Sequence, residues 1–222
     1  MTNKVANGFK GVIFDLDGTL INSVEDIADA MNVMLKQNDL PTHNLKTYEQ
    51  FLGSGIRDLL KKAVAKKSNE KEFMDTCWNE MIAIYTSNCT NKTKPYNGII
   101  NLLDTLVSQK IEMAILTNKA DHLAKKIVAE LFPTYNFEAV IGLTNEEAKK
   151  PNPVTAIQIS KKFNLNPNEI VFVGDSGIDM QTATNAGMFA VGVAWGYRDK
   201  NELIANGAKF ILNHPSDLFK IL

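Results

Sequence analysis

Gly11-Val12-Ile13-Phe14-Asp15-Leu16-Asp17-Gly18-Thr19-Leu20 is the stretch on which the reading of this chain turns. Residues 11–14 form a short apolar run of the kind found in a buried strand. Two aspartates follow with a single leucine between them, and Gly18-Thr19 then turns the chain. Aspartate is a poor strand residue, and a carboxylate at the end of a buried strand needs a cation or hydrogen-bond donors to stay ionised. Taken alone, the pair is compatible with a polar strand end, a metal site, or a nucleophile beside its acid/base partner. The rest of the chain has to decide.

Downstream, the pattern alternates. Ile99–Ser108 is helical, Ile111–Leu116 is a strand ending in Thr117-Asn118, and Asp121–Leu131 is a helix. Strand Ala139–Ile141 follows, then helix Pro153–Phe163 with proline in its first turn. Strand Ile170–Val173 ends in Gly174-Asp175. Helix Ile178–Ala186 stops at Gly187, strands Phe189–Val193 and Phe210–Leu212 come next, and a helical turn closes the chain at Leu218–Leu222. Strands alternating with helices predict right-handed β-α-β units and an α/β, Rossmann-like, mostly parallel sheet.

Between the first strand and this series the pattern is helical only. Asn22 and Ser23 are placed to cap a helix whose apolar stripe is Ile27, Met31, Met34 and Leu35. Further helical faces run from Leu45 to Asn88, with Gly53-Ser54-Gly55 as a turn between two of them. Asn91–Asn97, containing Pro95, reads as a linker. The expected organisation is an α/β core of residues 1–21 and 94–222, with a second, helical domain, 22–93, inserted after the first strand.

Composition narrows the partners. With 45% hydrophobic and 22% charged residues and a formal charge of −1, the chain fits an ordinary globular protein with no basic stripe for nucleic acid. No apolar run approaches the ~20 residues that span a bilayer. The first residues carry no apolar signal core, so a cytoplasmic protein without a membrane partner is expected. Two cysteines, Cys77 and Cys89, are too few for a stapled scaffold and read as buried thiols. His43, His122 and His214 are scattered and read as packing or surface residues. Monomer and homodimer both remain open.

In a parallel sheet, ligands gather at the carboxyl ends of the strands. Asp15 and Asp17, Thr117 and Asn118, and Asp175 should therefore share one edge, joined by Lys149-Lys150 from the loop after the Val140 strand and by Asp179 from the following helix. Clustered carboxylates repel, and a hard divalent ion such as Mg²⁺ relieves the repulsion while keeping waters and substrate oxygens as further ligands. A threonine hydroxyl, helix N-terminal amides and a lysine suit a phosphate. No His/Cys cluster suggests zinc, and there is no P-loop.

The set D-L-D-G-T-L, I-L-T-N-K, K-P-N-P and V-G-D-S-x-x-D-M resembles, in order and spacing, the four motifs of the haloacid dehalogenase (HAD) superfamily. Residues 51–55, Gly187-Met188 and 193–197 bring it closer to the phosphoglycolate phosphatases of that superfamily. The resemblance implies Mg²⁺-dependent hydrolysis of a small phosphorylated metabolite, with 2-phosphoglycolate the favoured one. It assigns Asp15 as nucleophile forming an aspartyl-phosphate and Asp17 as acid/base. Thr117, Asn118 and Lys150 become the phosphoryl-binding groups. The metal ligands would be Asp15, the Asp17 carbonyl and Asp175, with Asp179 orienting Lys150 or a metal-bound water. The helical insertion, 22–93, resembles the family's helical cap domain, and Arg57 within it reads either as a contact for a substrate carboxylate or as a surface arginine on a helix. A sugar-phosphate mutase or pyrophosphatase on the same scaffold, or a silent binding protein, are the rival readings.

Overall fold

The computed structural model describes residues 8–65 and 69–222. The expectations for residues 1–7 of the core, and for residues 66–68 within the helical stretch, lie outside that range. Six parallel strands form the sheet: β1 (Gly11–Phe14), β4 (Glu112–Ala120), β5 (Ala139–Leu143), β6 (Ile170–Gly174), β7 (Phe189–Val193) and β8 (Phe210–Leu212). Their spatial order is β5-β4-β1-β6-β7-β8. β1 thus lies in the middle, with the chain winding outward on both sides, which makes its carboxyl end the switch point where such sheets bind ligands.

Register fixes the height of each strand tip. Phe14 pairs with Ile115 of β4 and with Val173 of β6. The residues just past these positions, Asp15, Leu116-Thr117 and Gly174-Asp175, therefore emerge together. All four residues of β1 and all five of β6 are buried, as apolar strands covered on both faces by helices must be. Helices α5 (Ile99–Ser108), α6 (Asp121–Leu131), α7 (Val154–Lys162), α8 (Gly177–Asn185) and α9 (Lys200–Ala205) connect them. Pro153 is the N-cap of α7 rather than part of its first turn.

The helical segment contains α1 (Val24–Gln37), α2 (Leu45–Phe51), α3 (Ile56–Val64) and α4 (Lys71–Asn88). Its apolar faces close on one another: Met31, Met34 and Leu35 of α1, Tyr48 of α2, Leu59 and Leu60 of α3, and Met81 and Tyr85 of α4 are all buried. Cys77 and Cys89 are both buried. None of the described helices is long and apolar enough to cross a membrane.

Several boundaries differ from the sequence reading. The supposed linker 91–97 contains a two-residue strand, β3 (Lys94–Pro95), antiparallel to β2 (Ile21–Asn22). That ribbon joins the chain entering the helical segment to the chain leaving it. β4 runs past Leu116 to Ala120, with a register shift against β5. The closing turn is a 3₁₀ helix over Pro215–Lys220, earlier than expected. Ser23 does occupy the N-cap of α1, but its hydroxyl caps nothing; it donates to the Asp17 carboxylate instead.

Candidate active site

Asp15 continues β1 by one residue, its amide donating to Val173 O at 2.9 Å. Its carboxylate sits above the sheet, and Lys150 Nζ donates to Asp15 Oδ1 at 2.7 Å. The same ammonium donates to Asp179 Oδ1 at 2.6 Å and to Leu116 O at 3.2 Å. The lysine head is thus buried, and its three protons all have acceptors. Lys149 points away, to Asp58 and Glu146. Of the two adjacent lysines, Lys150 is the one at the strand tips.

Three carboxylates crowd this point. Oxygens of Asp15, Asp175 and Asp179 lie within 4.8 Å of one another, and all three residues are buried. Burial pushes Asp15 up to about 7, with Lys150 opposing and Asp179 and Asp17 reinforcing the rise. Burial, then Asp179 and Asp15, push Asp175 well above the usual carboxylate range. Lys150 is raised above its ordinary value because Asp15 and Asp179 outweigh its own desolvation, so it stays an ammonium. One ammonium does not neutralise three acids, and such a set suits a hard divalent cation. Space has been kept for the carboxylates: Gly18 has φ +86°, and a Cβ there would overlap the Asp175 carboxyl. Asp179 Oδ2 is already committed to Ser176, accepting from its amide and hydroxyl. Asp175 accepts from the Tyr197 amide at 2.8 Å, and the Trp195 indole N–H donates to Thr19 O, so residues 195–197 brace both carboxylate loops.

Asp17 turns elsewhere. Its carboxylate takes Ser23 Oγ and Lys119 Nζ as partners, which leaves the side chain outside the acidic cluster. Thr117 Oγ1 accepts from the Lys119 amide at 3.2 Å, so its own proton is free for an incoming oxygen. The Asn118 side chain holds the peptide of Lys150: Oδ1 accepts from Lys150 N at 2.9 Å, and Nδ2 donates to Lys150 O at 3.3 Å.

A small pocket of about 30 Å³ is lined by Asp15, Asp17, Thr117, Asn118, Lys119 and Lys150, and roofed by Leu52, Gly53, Gly55 and Ile56. It opens toward a cleft of about 210 Å³ that shares Gly55, Ile56 and Asn118 and adds Arg57 and Trp78. Gly55 has φ +85°, and a Cβ there would come within 2.9 Å of Asn118 O. Gly55 therefore allows the helical segment to approach the site closely, besides its place in the turn between two helices. Arg57 is exposed; it donates to Asp75 at 2.7 Å and lies 5.5 Å from the Trp78 ring centre. It stands on the wall of the outer cleft and does not line the inner pocket.

This geometry has a known home. The family model described as "haloacid dehalogenase-like hydrolase" matches residues 12–193. The chain belongs to that family. Among curated members, it is 32% identical over 211 residues to the phosphoglycolate phosphatase of Aquifex aeolicus, covering 95% of each chain. It is 30% identical to that of Mannheimia succiniciproducens, covering 96% of this chain and 98% of that one. A crystal structure described as a "predicted phosphoglycolate phosphatase" from Haemophilus somnus 129pt superposes with a TM-score of 0.89 at 30% identity, covering 96% of this chain and 98% of the other. The fold of this haloacid dehalogenase-like hydrolase is the α/β sheet that its motifs predict.

Sequence reasoning missed Lys119, the Asp17 contact of Ser23, and Arg198, whose guanidinium donates to the main-chain oxygens of Glu49, Gln50 and Leu52 next to the 53–55 turn. Lys119 stands inside the quoted I-L-T-N-K motif, but nothing in its spacing says that the strand continues and buries it. A signal was available all the same: a lysine directly after two residues assigned to the site.

Proposed function

We propose that this chain hydrolyses small phosphate monoesters through an aspartyl-phosphate on Asp15, with 2-phosphoglycolate as substrate. The observation that carries the reading is the buried Lys150 ammonium bridging Asp15 and Asp179 at the tip of the central strand. The names of the relatives at 30–32% identity favour the phosphoglycolate assignment.

In this reading, Asp15 and Asp175 through their carboxylates, and Asp17 through its backbone carbonyl, would hold Mg²⁺. When bound, that ion supplies positive charge that lets an anionic phosphoryl group approach an ionised carboxylate. The protein groups divide the remaining work. Lys150 keeps Asp15 oriented and offsets charge on the phosphoryl oxygens. The Thr117 hydroxyl, its lone pair taken by the Lys119 amide, donates to one of those oxygens. Asp15 attacks phosphorus, and the alkoxide that leaves takes a proton from Asp17. Asp17 then removes a proton from the water that cleaves the acyl-phosphate. Splitting one hard hydrolysis into two displacements is the gain from a carboxylate nucleophile. Asp179 positions Lys150. Residues 22–93 act as a cap: the 52–56 loop closes the phosphoryl pocket against water, and the outer cleft takes the rest of the substrate. There Arg57 would exchange Asp75 for the carboxylate of 2-phosphoglycolate, a match for its planar fork.

The test is phosphate release from a panel of small phosphomonoesters, with Mg²⁺ or with chelator. Asp15→Asn should abolish turnover, and activity should require the metal. Full turnover by Asp15→Asn, or by the chelated protein, would sink the reading. In the same panel, Arg57→Ala should raise KM for 2-phosphoglycolate on the order of tenfold, the equivalent of about 1.4 kcal/mol of binding. p-Nitrophenyl phosphate, which has no carboxylate, should be nearly unaffected; an equal change for both would remove Arg57 from substrate recognition.

A further inference from the structure

The Lys119 side chain has no part in the mechanism above, yet it is 0% exposed. Desolvating an ammonium is expensive, and the protein offsets this with three acceptors. Lys119 Nζ donates to Asp17 Oδ1 at 2.9 Å, to Asp17 Oδ2 at 3.1 Å, and to the Tyr85 hydroxyl at 2.7 Å. The lysine comes from the extended tip of β4, and the tyrosine from α4 in the helical segment. Tyr85 is itself fully buried, and burial, then Asp17, keep its phenol neutral. One ammonium therefore ties a residue of the sheet edge, a residue of the helical segment and the Asp17 carboxylate into a single contact.

The two oxygens of Asp17 are not equivalent. Oδ1 accepts from both Ser23 Oγ and Lys119. Among the described residues, Oδ2 has only the longer Lys119 contact. A carboxylate anchored mainly through one oxygen keeps a lone pair on the other for a new partner.

We propose that Lys119, seated by Tyr85, is the positioning residue for Asp17: it fixes the carboxylate through Oδ1 and presents Oδ2 for proton exchange when α4 is in place. This rests on the assignment of Asp17 as acid/base. It makes the acid/base step, and not the attack by Asp15, depend on how the helical segment docks. A buried ion pair that merely held two parts of the protein together would affect both steps alike.

Leaving-group chemistry separates these roles. An alkoxide needs a proton as it departs, whereas p-nitrophenolate leaves without one. The experiment compares Lys119→Met, Lys119→Arg, Tyr85→Phe and Asp17→Asn with the unsubstituted protein in the presence of Mg²⁺. Rapid mixing with p-nitrophenyl phosphate reads the nitrophenolate burst, and steady-state turnover of an alkyl phosphate reads the step that needs the acid. Lys119→Met is expected to lower alkyl-phosphate kcat by about 10²-fold, the usual worth of general acid–base catalysis, with a much smaller change in the burst. Tyr85→Phe should give the same selectivity at smaller amplitude, and Lys119→Arg should recover part of the loss.

If Asp17→Asn shows the selectivity while Lys119→Met and Tyr85→Phe lower burst and turnover equally, or lower neither, the positioning role is overturned. If Asp17→Asn itself shows no selectivity, the acid/base assignment falls and takes the proposal with it, a distinguishable result. Should Lys119→Met fail to fold, Tyr85→Phe decides alone, since it removes one hydroxyl and keeps the buried ring.

Discussion

Lys150 Nζ lies 2.7 Å from Asp15 and 2.6 Å from Asp179, with Asp175 completing the acidic group. The three acids outnumber the one ammonium among them, and the pH dependence of the group has a definite sign. Unfolded, Asp15 would titrate near its ordinary 3.8; folded and metal-free, it keeps its proton up to about 7. The folded form is then the one that binds the extra proton between those values. Its contribution to stability is full below the unfolded value and is lost as pH rises through 7. Mg²⁺ favours the ionised carboxylates, so it should restore what the rise in pH removes. Thermal melts should show a larger Mg²⁺-induced gain in Tm at about pH 8 than at about pH 5. An equal gain at both would mean that the ion does not bind through these carboxylates.

At the scale of elements, the latch on the 52–55 loop is Arg198, just beyond β7. Its guanidinium donates to Glu49 O at 2.8 Å, to Gln50 O at 3.2 Å and to Leu52 O. These are carbonyls at the C-terminal end of α2, where a cation also meets the helix dipole favourably. The residue before it, Tyr197, holds Asp175. Arg198→Ala should cost about 1–3 kcal/mol of stability. It should also lower kcat/KM for a small phosphate ester on the order of tenfold, and amide hydrogen exchange should rise across residues 49–56. Unchanged exchange there would show that the loop is held by other contacts. None of this was visible in the sequence, because an arginine reaching across about 150 residues to three main-chain oxygens leaves no local pattern. The strands were legible for the opposite reason. β1, β6 and β7 are continuous apolar runs that are buried throughout or nearly so, and the polar residues that end β1, β4 and β6 mark the site edge in the sequence itself. Elements that bury little escaped: α9 buries only Leu203, and β2 and β3 have two residues each. At the site, Asp15, Asp17, Thr117, Asn118, Lys150, Asp175 and Asp179 were readable from motif spacing. Lys119 was not, because its burial depends on the irregular extension of β4.

For the molecule as a whole, the joint between sheet and helical segment is a short ribbon pinned by Asp26. That buried carboxylate accepts from the amides of Lys92 and Thr93 and from the Thr93 hydroxyl, at 2.7–3.0 Å. It binds the first turn of α1 to the chain returning to the sheet. Asp26→Ala would leave the buried Thr93 amide and hydroxyl unpaired, at an expected cost of about 2–4 kcal/mol in urea denaturation. Asp26→Asn, keeping one acceptor oxygen, should lose less. Equal losses would indicate that shape, and not the carboxylate's accepting power, is what the joint requires.

The pairing of Ile21 with Pro95 and of Asn22 with Lys94 has a consequence for how such proteins can change. The two ends of the helical segment leave the sheet side by side, so from the sheet's standpoint some seventy residues occupy the place of a hairpin turn. The entropy of closing a loop grows only with the logarithm of its length. Replacing the segment by a longer, shorter or unrelated one therefore taxes the sheet very little, while altering everything the substrate meets beyond its phosphate. A lineage built this way can trade specificities like interchangeable tool heads on one handle, and a protein engineer can do the same by cutting at the ribbon.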